Sequence, residues 1–265
     1  MRKDSMMTTN TTGQTICPLC RGGGKIWEER DVPGYGKADF VIPCPACNGA
    51  KLAQVRRERA NIKSAFYHAF LHEFRWDIYM DEKQQPIDLS KMQGFVQTFV
   101  DRFKDWDAEG KGFYIYSKTR GSGKTFLASC LCNDVMERER ITAKFVSASE
   151  LVTIAKSADK TAVDDYQRDP ISIFQRCKLL AIDDLGQAGG DWLQDILFRV
   201  LDARMNDRLC TIVTSNMPIA ELPFDDRIID RLNKMCFTLH LPDYCVRQKE
   251  ANGEKKAFLQ KLGVM

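Results

Sequence analysis

No apolar run in this 265-residue chain approaches the ~18 residues of a membrane span, and there is no apolar core of a secretion signal. Both absences argue against a membrane or secreted protein and point to a cytosolic one. Histidine is scarce, at three residues. His68 and His72 share a helical spacing but have no third ligand near them, so they read as members of an amphipathic face. Nothing in the overall composition is extreme: 44% hydrophobic and 28% charged residues suit an ordinary soluble protein. The length leaves room for one large domain plus a small one.

Net charge is +3, unevenly spread. Residues 1–76 hold 12 Lys and Arg against 7 Asp and Glu, whereas residues 77–265 hold 27 against 29. A basic N-terminal part suits a nucleic acid or an acidic partner, and equally an ordinary solvated face.

The ten cysteines fall into two groups. Cys130, Cys132, Cys177, Cys210, Cys236 and Cys245 are scattered among apolar neighbours and read as reduced, partly buried small hydrophobes. Cys17, Cys20, Cys44 and Cys47 form two close pairs within a repeat, ICPLCRGGGK against PCPACNGAK. Each half is C-P-x-C-x-G, with Gly22 or Gly49 free to take the φ > 0 conformation that closes such a turn. Two knuckles of this kind supply four thiolates for one tetrahedral Zn²⁺. The alternatives are two disulfides, disfavoured in a cytosol, or a redox C-x-x-C. Residues 25–42 between the pairs read as a hairpin with Pro33-Gly34-Tyr35-Gly36 at its tip. Residues 1–14 are polar and expected to be disordered, and 15–50 form the zinc-binding module, which is similar to one half of the cysteine-rich region of DnaJ chaperones.

Residues 51–76 (KLAQVRRERANIKSAFYHAFLHEFRW) read as a basic helical linker with Phe66, Phe70 and Phe74 at i, i+4, i+8. That stripe reads as a docking face, or as a stacking surface for single-stranded bases beside Arg56, Arg57 and Arg59. Residues 77–94 are turn-rich and look like a junction. A helix carrying Phe95, Phe99 and Phe103 comes next, ending near Trp106. From Gly112 onward strand-like runs at 112–116, 143–147, 178–182, 210–215 and 236–240 alternate with helical ones. This is the signature of a parallel sheet covered on both faces.

The chemistry concentrates at the carboxyl ends of those strands. GFYIYSKTRGSGKTFLAS, residues 112–129, is a strand, a glycine-bearing turn and a helix start, the context of a phosphate-binding loop. Backbone amides from Gly121 to Thr125 would face phosphates, Lys124 would add a positive charge, and the Thr125 hydroxyl would be a Mg²⁺ ligand. The first glycine of the G-x-x-x-x-G-K-[ST] pattern is replaced by Lys118. KLLAIDDLG ends a buried strand in two carboxylates. Asp183 would hold Mg²⁺, directly or through water, and Asp184 would orient or deprotonate the attacking water. Asn216, at the tip of CTIVTSN, could bond the γ-phosphate; taken alone it is also an ordinary strand-end residue. Arg227 and Arg231 lie four apart on one helix face. They are either exposed ion-pair partners or, in an oligomer, an arginine finger and its companion.

GSGKT, LLAIDDLG, TIVTSN and DRIIDRL, in this order, resemble AAA+ ATPases, and more narrowly the DnaC/DnaI group of replicative helicase loaders, including phage and mobile-element versions. The resemblance covers residues 77–265. It implies an α/β AAA+ P-loop ATPase core with a five-stranded parallel sheet and a reduced C-terminal lid, preceded by a small zinc-ribbon-like domain and a helical linker. It implies ATP and Mg²⁺ as cofactors beside Zn²⁺, and contacts from Arg120, Gly121, Ser122, Gly123, Lys124, Thr125 and Phe126 to the nucleotide. By motif position Arg231 matches the finger arginine, Arg227 its companion, and Arg247 a sensor-2 arginine. The partners implied are a DnaB-type replicative helicase, single-stranded DNA and further copies of the chain. Lys118 departs from the pattern, and so does Asp184, where most AAA+ proteins carry glutamate; the shorter side chain implies slow, switch-like hydrolysis. Only 25 residues follow His240, enough for one helix, so a neighbouring subunit should complete the site. A DNA-targeting ATPase of the IstB type, which assists a transposase, shares the same core motifs. The third reading is a zinc-dependent adaptor that binds nucleotide without hydrolysing it.

Overall fold

The computed structural model describes residues 8–9, 15–16, 19–20, 25–32, 36–45, 48–158, 161, 164–186 and 190–261. The chain divides into two compact units, Met1–Arg56 and Arg57–Met265. The first contains β1 (Thr8–Thr9), antiparallel to β2 (Thr15–Ile16), and the expected hairpin of β3 (Lys25–Val32) and β4 (Gly36–Pro43). Its register runs from Val32↔Gly36 at the turn to Lys25↔Pro43 at the open end. The paired Lys25 and Pro43 are the strand ends nearest the two cysteine pairs in the sequence, Pro43 directly preceding Cys44. Cys44, the residue after Pro43, is fully buried. Cys17 and Cys47 lie outside the described residues, as do residues 1–7 and 10–14 of the expected tail.

The helix expected over 51–76 is α1 (Asn48–Arg59), and it ends 17 residues early. Asn61 takes φ +63 while its amide bonds Glu58 O and the Ile62 amide reaches back to Arg57 O, the double bond of a Schellman stop. Beyond it the chain makes three short 3₁₀ turns at Ser64–Phe66, Leu71–Glu73 and Trp76–Ile78. Phe66, Phe70 and Phe74 therefore do not share a helix face, and the histidine spacing is not helical either. The segment from Arg57 folds with the larger unit, whereas the sequence suggested a separate linker. Its backbone is tied down by polar groups of the sheet unit. Asn133 Nδ2 donates to Phe66 O and Ala69 O, both at 2.8 Å, and Asp134 Oδ2 accepts from the Leu71 amide at 2.7 Å.

The larger unit continues through α2 (Ser90–Asp101), α3 (Phe103–Glu109), β5 (Gly112–Tyr116), α4 (Lys124–Glu139), β6 (Ala143–Ser147) and α5 (Ala148–Lys156). It then passes through α6 (Asp165–Arg168), α7 (Ser172–Arg176), β7 (Leu179–Leu185) and α8 (Asp191–Asn206). It ends with β8 (Cys210–Ser215), α9 (Asp226–Met235), β9 (Cys236–His240) and α10 (Val246–Lys261). The single helix expected over residues 95–106 is broken at Arg102, between α2 and α3. The five strands from β5 to β9 pair in parallel in the order β6-β7-β8-β5-β9.

Alternation along buried strands builds two cores, because successive side chains point to opposite faces. Phe113, Ile115, Leu179, Ala181 and Ile212 pack on one side with α2 and α4 residues such as Phe99 and Leu131. Tyr114, Leu180, Ile182 and Val213 pack on the other with Leu151, Leu197, Val200 and Leu232 from α5, α8 and α9. Five of the six scattered cysteines are buried, Cys245 is half-buried, and none is in a disulfide. Among the described residues no helix is long and apolar enough to cross a membrane.

Candidate nucleotide-binding site

The loop between β5 and α4 lies at the carboxyl edge of the sheet, with β8 and β9 on either side of β5. Two of its glycines have no substitute. Gly121 (φ +77) is pressed against the start of α10, where a Cβ would meet Arg247 Cβ at 3.1 Å and Cys245 Sγ at 3.2 Å. Gly123 (φ +96) would meet the Tyr79 hydroxyl at 3.1 Å and the Phe74 ring at 3.4 Å. Lys118 is not among the residues with positive φ, so its conformation does not call for the glycine usual there.

Lys124 is buried and folds back into the loop. Its ammonium donates to Ser117 O (3.1 Å), Thr119 O (2.9 Å) and Ser122 Oγ (3.2 Å). Burial pulls its pKa down, opposed by the nearby charges of Asp184, Asp183 and Asp243. On the facing strand the pairing of β7 with β8 slips between Ile182 and Leu185, and Asp184 within the slip takes φ +57. Asp183 is buried and its carboxyl is pushed above the ordinary value of 3.8, chiefly by desolvation. Its Oδ1 accepts from Thr125 Oγ1 at 2.9 Å and Thr214 Oγ1 at 2.6 Å. The Asp184 amide donates to Thr214 Oγ1 at 3.0 Å, so one threonine fixes both aspartates. A carboxylate and a hydroxyl this close are a donor set suited to Mg²⁺.

A cleft of about 470 Å³ opens over the loop. It is lined by Arg120 to Phe126, Asp184, Asn216 and Arg247, by the apolar Phe66, Phe74, Ile78, Tyr79 and Val246, and by Glu73 and Arg75. The structure thus brings together Lys124, Thr125, Asp183, Asp184, Asn216 and Arg247. Arg227 and Arg231 are elsewhere. Both guanidinium groups stack on Phe198 of α8, at 4.6 and 4.3 Å from the ring centre. Arg231 pairs with Asp202 through Nε and Nη2 and donates from Nη1 to Arg227 O, while Arg227 pairs with Asp225.

The apolar lining is the part that sequence reasoning missed: Phe66 and Phe74 come from the segment read as a docking helix, and Ile78 and Tyr79 from the stretch read as a junction. Tyr79 is buried and donates to Ser122 O at 2.8 Å, holding the loop from below. Phe74 stacks on Phe126 at 6.1 Å. The available signal was the density of aromatics between Phe66 and Tyr79 with no glycine or proline among them.

A family model described as IstB-like ATP binding protein matches residues 111–252, more than half of the chain. The chain belongs to the IstB-like ATP-binding family. Curated proteins give no sequence match. Among solved structures it is similar to DnaI, with 22% identity and a TM-score of 0.54 over 68% of this chain and 95% of that one. Similarity to the DnaC helicase loader is at 20% identity and a TM-score of 0.55, over 68% and 99% of the two chains. For AMPPCP-bound DnaA from Aquifex aeolicus the values are 16% identity and 0.53, over 75% and 57%. At these identities the likeness is one of fold. This IstB-like protein therefore has the α/β P-loop architecture of the AAA+ class, built on a five-stranded parallel sheet.

Proposed function

We propose that this protein is an ATP-dependent loader of a DnaB-type replicative helicase onto single-stranded DNA. The observation that carries the reading is a paired-cysteine module ahead of a core whose fold is that of DnaI and DnaC. In this reading Lys124 moves its ammonium from Ser117 O, Thr119 O and Ser122 Oγ onto the phosphates. Thr125 and Asp183 hold Mg²⁺, which would neutralise phosphate charge. Asp184 orients the attacking water and Asn216 bonds the γ-phosphate. With aspartate in that place, hydrolysis is slow. Arg231, with Arg227 beside it, acts on the nucleotide of a neighbouring subunit, since neither lines the cleft of its own.

Cys17, Cys20, Cys44 and Cys47 hold one structural Zn²⁺. The reading is supported by the hairpin, whose Lys25↔Pro43 pairing closes the strand ends nearest the two cysteine pairs in the sequence, and by the burial of Cys44. Among the described residues no cluster of three metal-type side chains occurs, and two of the four thiols fall outside them. Serine at Cys44 and Cys47 should remove about one zinc per chain. The module and the basic segment after it grip the helicase, in the cytoplasm.

A second reading is favoured by the family match itself: an IstB-type ATPase that targets DNA for a transposase. Capture of the replicative helicase by the full-length protein separates the two. Retention with ATP supports the loader; failure to retain it under any nucleotide condition sinks that reading. ATP turnover with and without single-stranded DNA separates both from a non-hydrolysing adaptor.

A further inference from the structure

The segment between β9 and α10 runs along the phosphate loop and is bonded to it repeatedly. The Leu241 amide donates to Tyr116 O, and the Arg247 amide to Gly121 O. Between them sits Asp243. A single oxygen, Oδ1, accepts from Ser117 Oγ at 2.9 Å, from the Lys118 amide at 2.7 Å and from the Thr119 amide at 3.2 Å. These three donors all belong to the loop, and His240 Nε2 stands 3.9 Å from the other oxygen.

One of these peptide groups is held from its opposite end as well. Ser117 O and Lys118 N belong to one peptide unit, whose carbonyl accepts from the Lys124 ammonium while its N–H points at Asp243. Thr119 is bonded to both side chains as well, but through two neighbouring peptide units, its amide on Asp243 and its carbonyl on Lys124. The Ser117–Lys118 peptide dipole thus lies between a positive and a negative side chain, each end on the charge that suits it, and the next two units are each tied at one end. Free to rotate, they could turn a carbonyl oxygen toward the phosphates, where it would repel them. Fixed by Asp243, they keep the start of the loop in a conformation that lysine can adopt at position 118.

We propose that Asp243 is a positioning residue of the nucleotide site, fixing the Ser117–Lys118–Thr119 backbone so that its carbonyls stay turned away from the phosphates. The proposal rests on the reading of this loop as the ATP site.

The test is a titration of the full-length protein with a fluorescent ATP analogue and Mg²⁺, alongside thermal unfolding without nucleotide and steady-state turnover. Asp243→Ala should weaken affinity by about tenfold, the effect of losing charge-assisted hydrogen bonds. Turnover at saturating nucleotide should stay within about twofold, since the reacting groups are untouched. Asp243→Asn, which keeps an acceptor oxygen, should recover most of the affinity. Wild-type affinity in a folded Asp243→Ala, or an equal loss in both variants, would overturn the proposal. If Asp243→Ala fails to fold, Ser117→Ala removes one of the three donors, and an unchanged affinity there overturns it as well. Lys124→Ala is the control for the underlying reading: binding as tight as wild type would reject the loop as the ATP site, whatever Asp243 does.

Discussion

At the scale of single residues, the two departures from the phosphate-loop pattern have different physical standing. Lys118 needs no positive φ and its amide is held by Asp243, so glycine there would add freedom without relieving strain. Lys118→Gly should accordingly change nucleotide affinity by less than about threefold, by equilibrium titration. Asp183 is the residue under tension. Its carboxyl is raised by burial, so its protonated form is favoured in the folded state relative to the unfolded one. A raised folded value means that the stability it contributes is complete below the ordinary 3.8 and is lost as pH rises through the folded value. At neutral pH the ionised group therefore costs stability. Asp183→Asn, which keeps an acceptor for Thr125 and Thr214, should raise the melting temperature of the nucleotide-free protein at pH 7. That gain should shrink as pH falls toward 4, and Mg²⁺-dependent nucleotide binding should be lost. An unchanged or lowered melting temperature at pH 7 would show that Asp183 carries no burial penalty.

At the scale of elements, all five sheet strands were legible because buried parallel strands leave a compact signal: short β-branched and aromatic runs between helical ones. Lys124, Thr125, Asp183, Asp184 and Asn216 were legible for a related reason, since locating a strand also locates its end. The segment from Ala60 to Tyr79 was not. Its phenylalanines recur at a helical spacing, yet Asn61 stops α1 in the left-handed region, and tertiary hydrogen bonds from Asn133 and Asp134 shape the chain beyond it. Those partners lie more than 60 residues away, so no local window contains them. Asp243 and Thr214 escaped for the same reason, because their roles depend on neighbours across the sheet edge. Tyr79 tests this element. Tyr79→Phe deletes one buried hydrogen bond to Ser122 O and should cost about 1 kcal/mol of stability by denaturant unfolding, with a larger effect on nucleotide affinity than on turnover.

At the scale of the whole molecule, the arginine pair on α9 points outside the subunit's own cleft. Arg231 is the more deeply held, with 17% of its side chain exposed against 62% for Arg227. Arg231→Ala should therefore lower the melting temperature more than Arg227→Ala, because it strands Asp202. Both should leave nucleotide affinity unchanged in dilute protein and abolish any rise of specific turnover with protein concentration. Turnover per chain that is already independent of concentration in the wild type would instead mean that each subunit works alone.

The loader reading is tested most directly on closed circular single-stranded DNA carrying an annealed, tailed oligonucleotide, onto which a ring helicase cannot thread by an end. Displacement of the oligonucleotide by the replicative helicase should require this protein and ATP, and Lys124→Ala should not substitute. Displacement that is unchanged when the protein is omitted, or equal with Lys124→Ala, would contradict ATP-dependent loading.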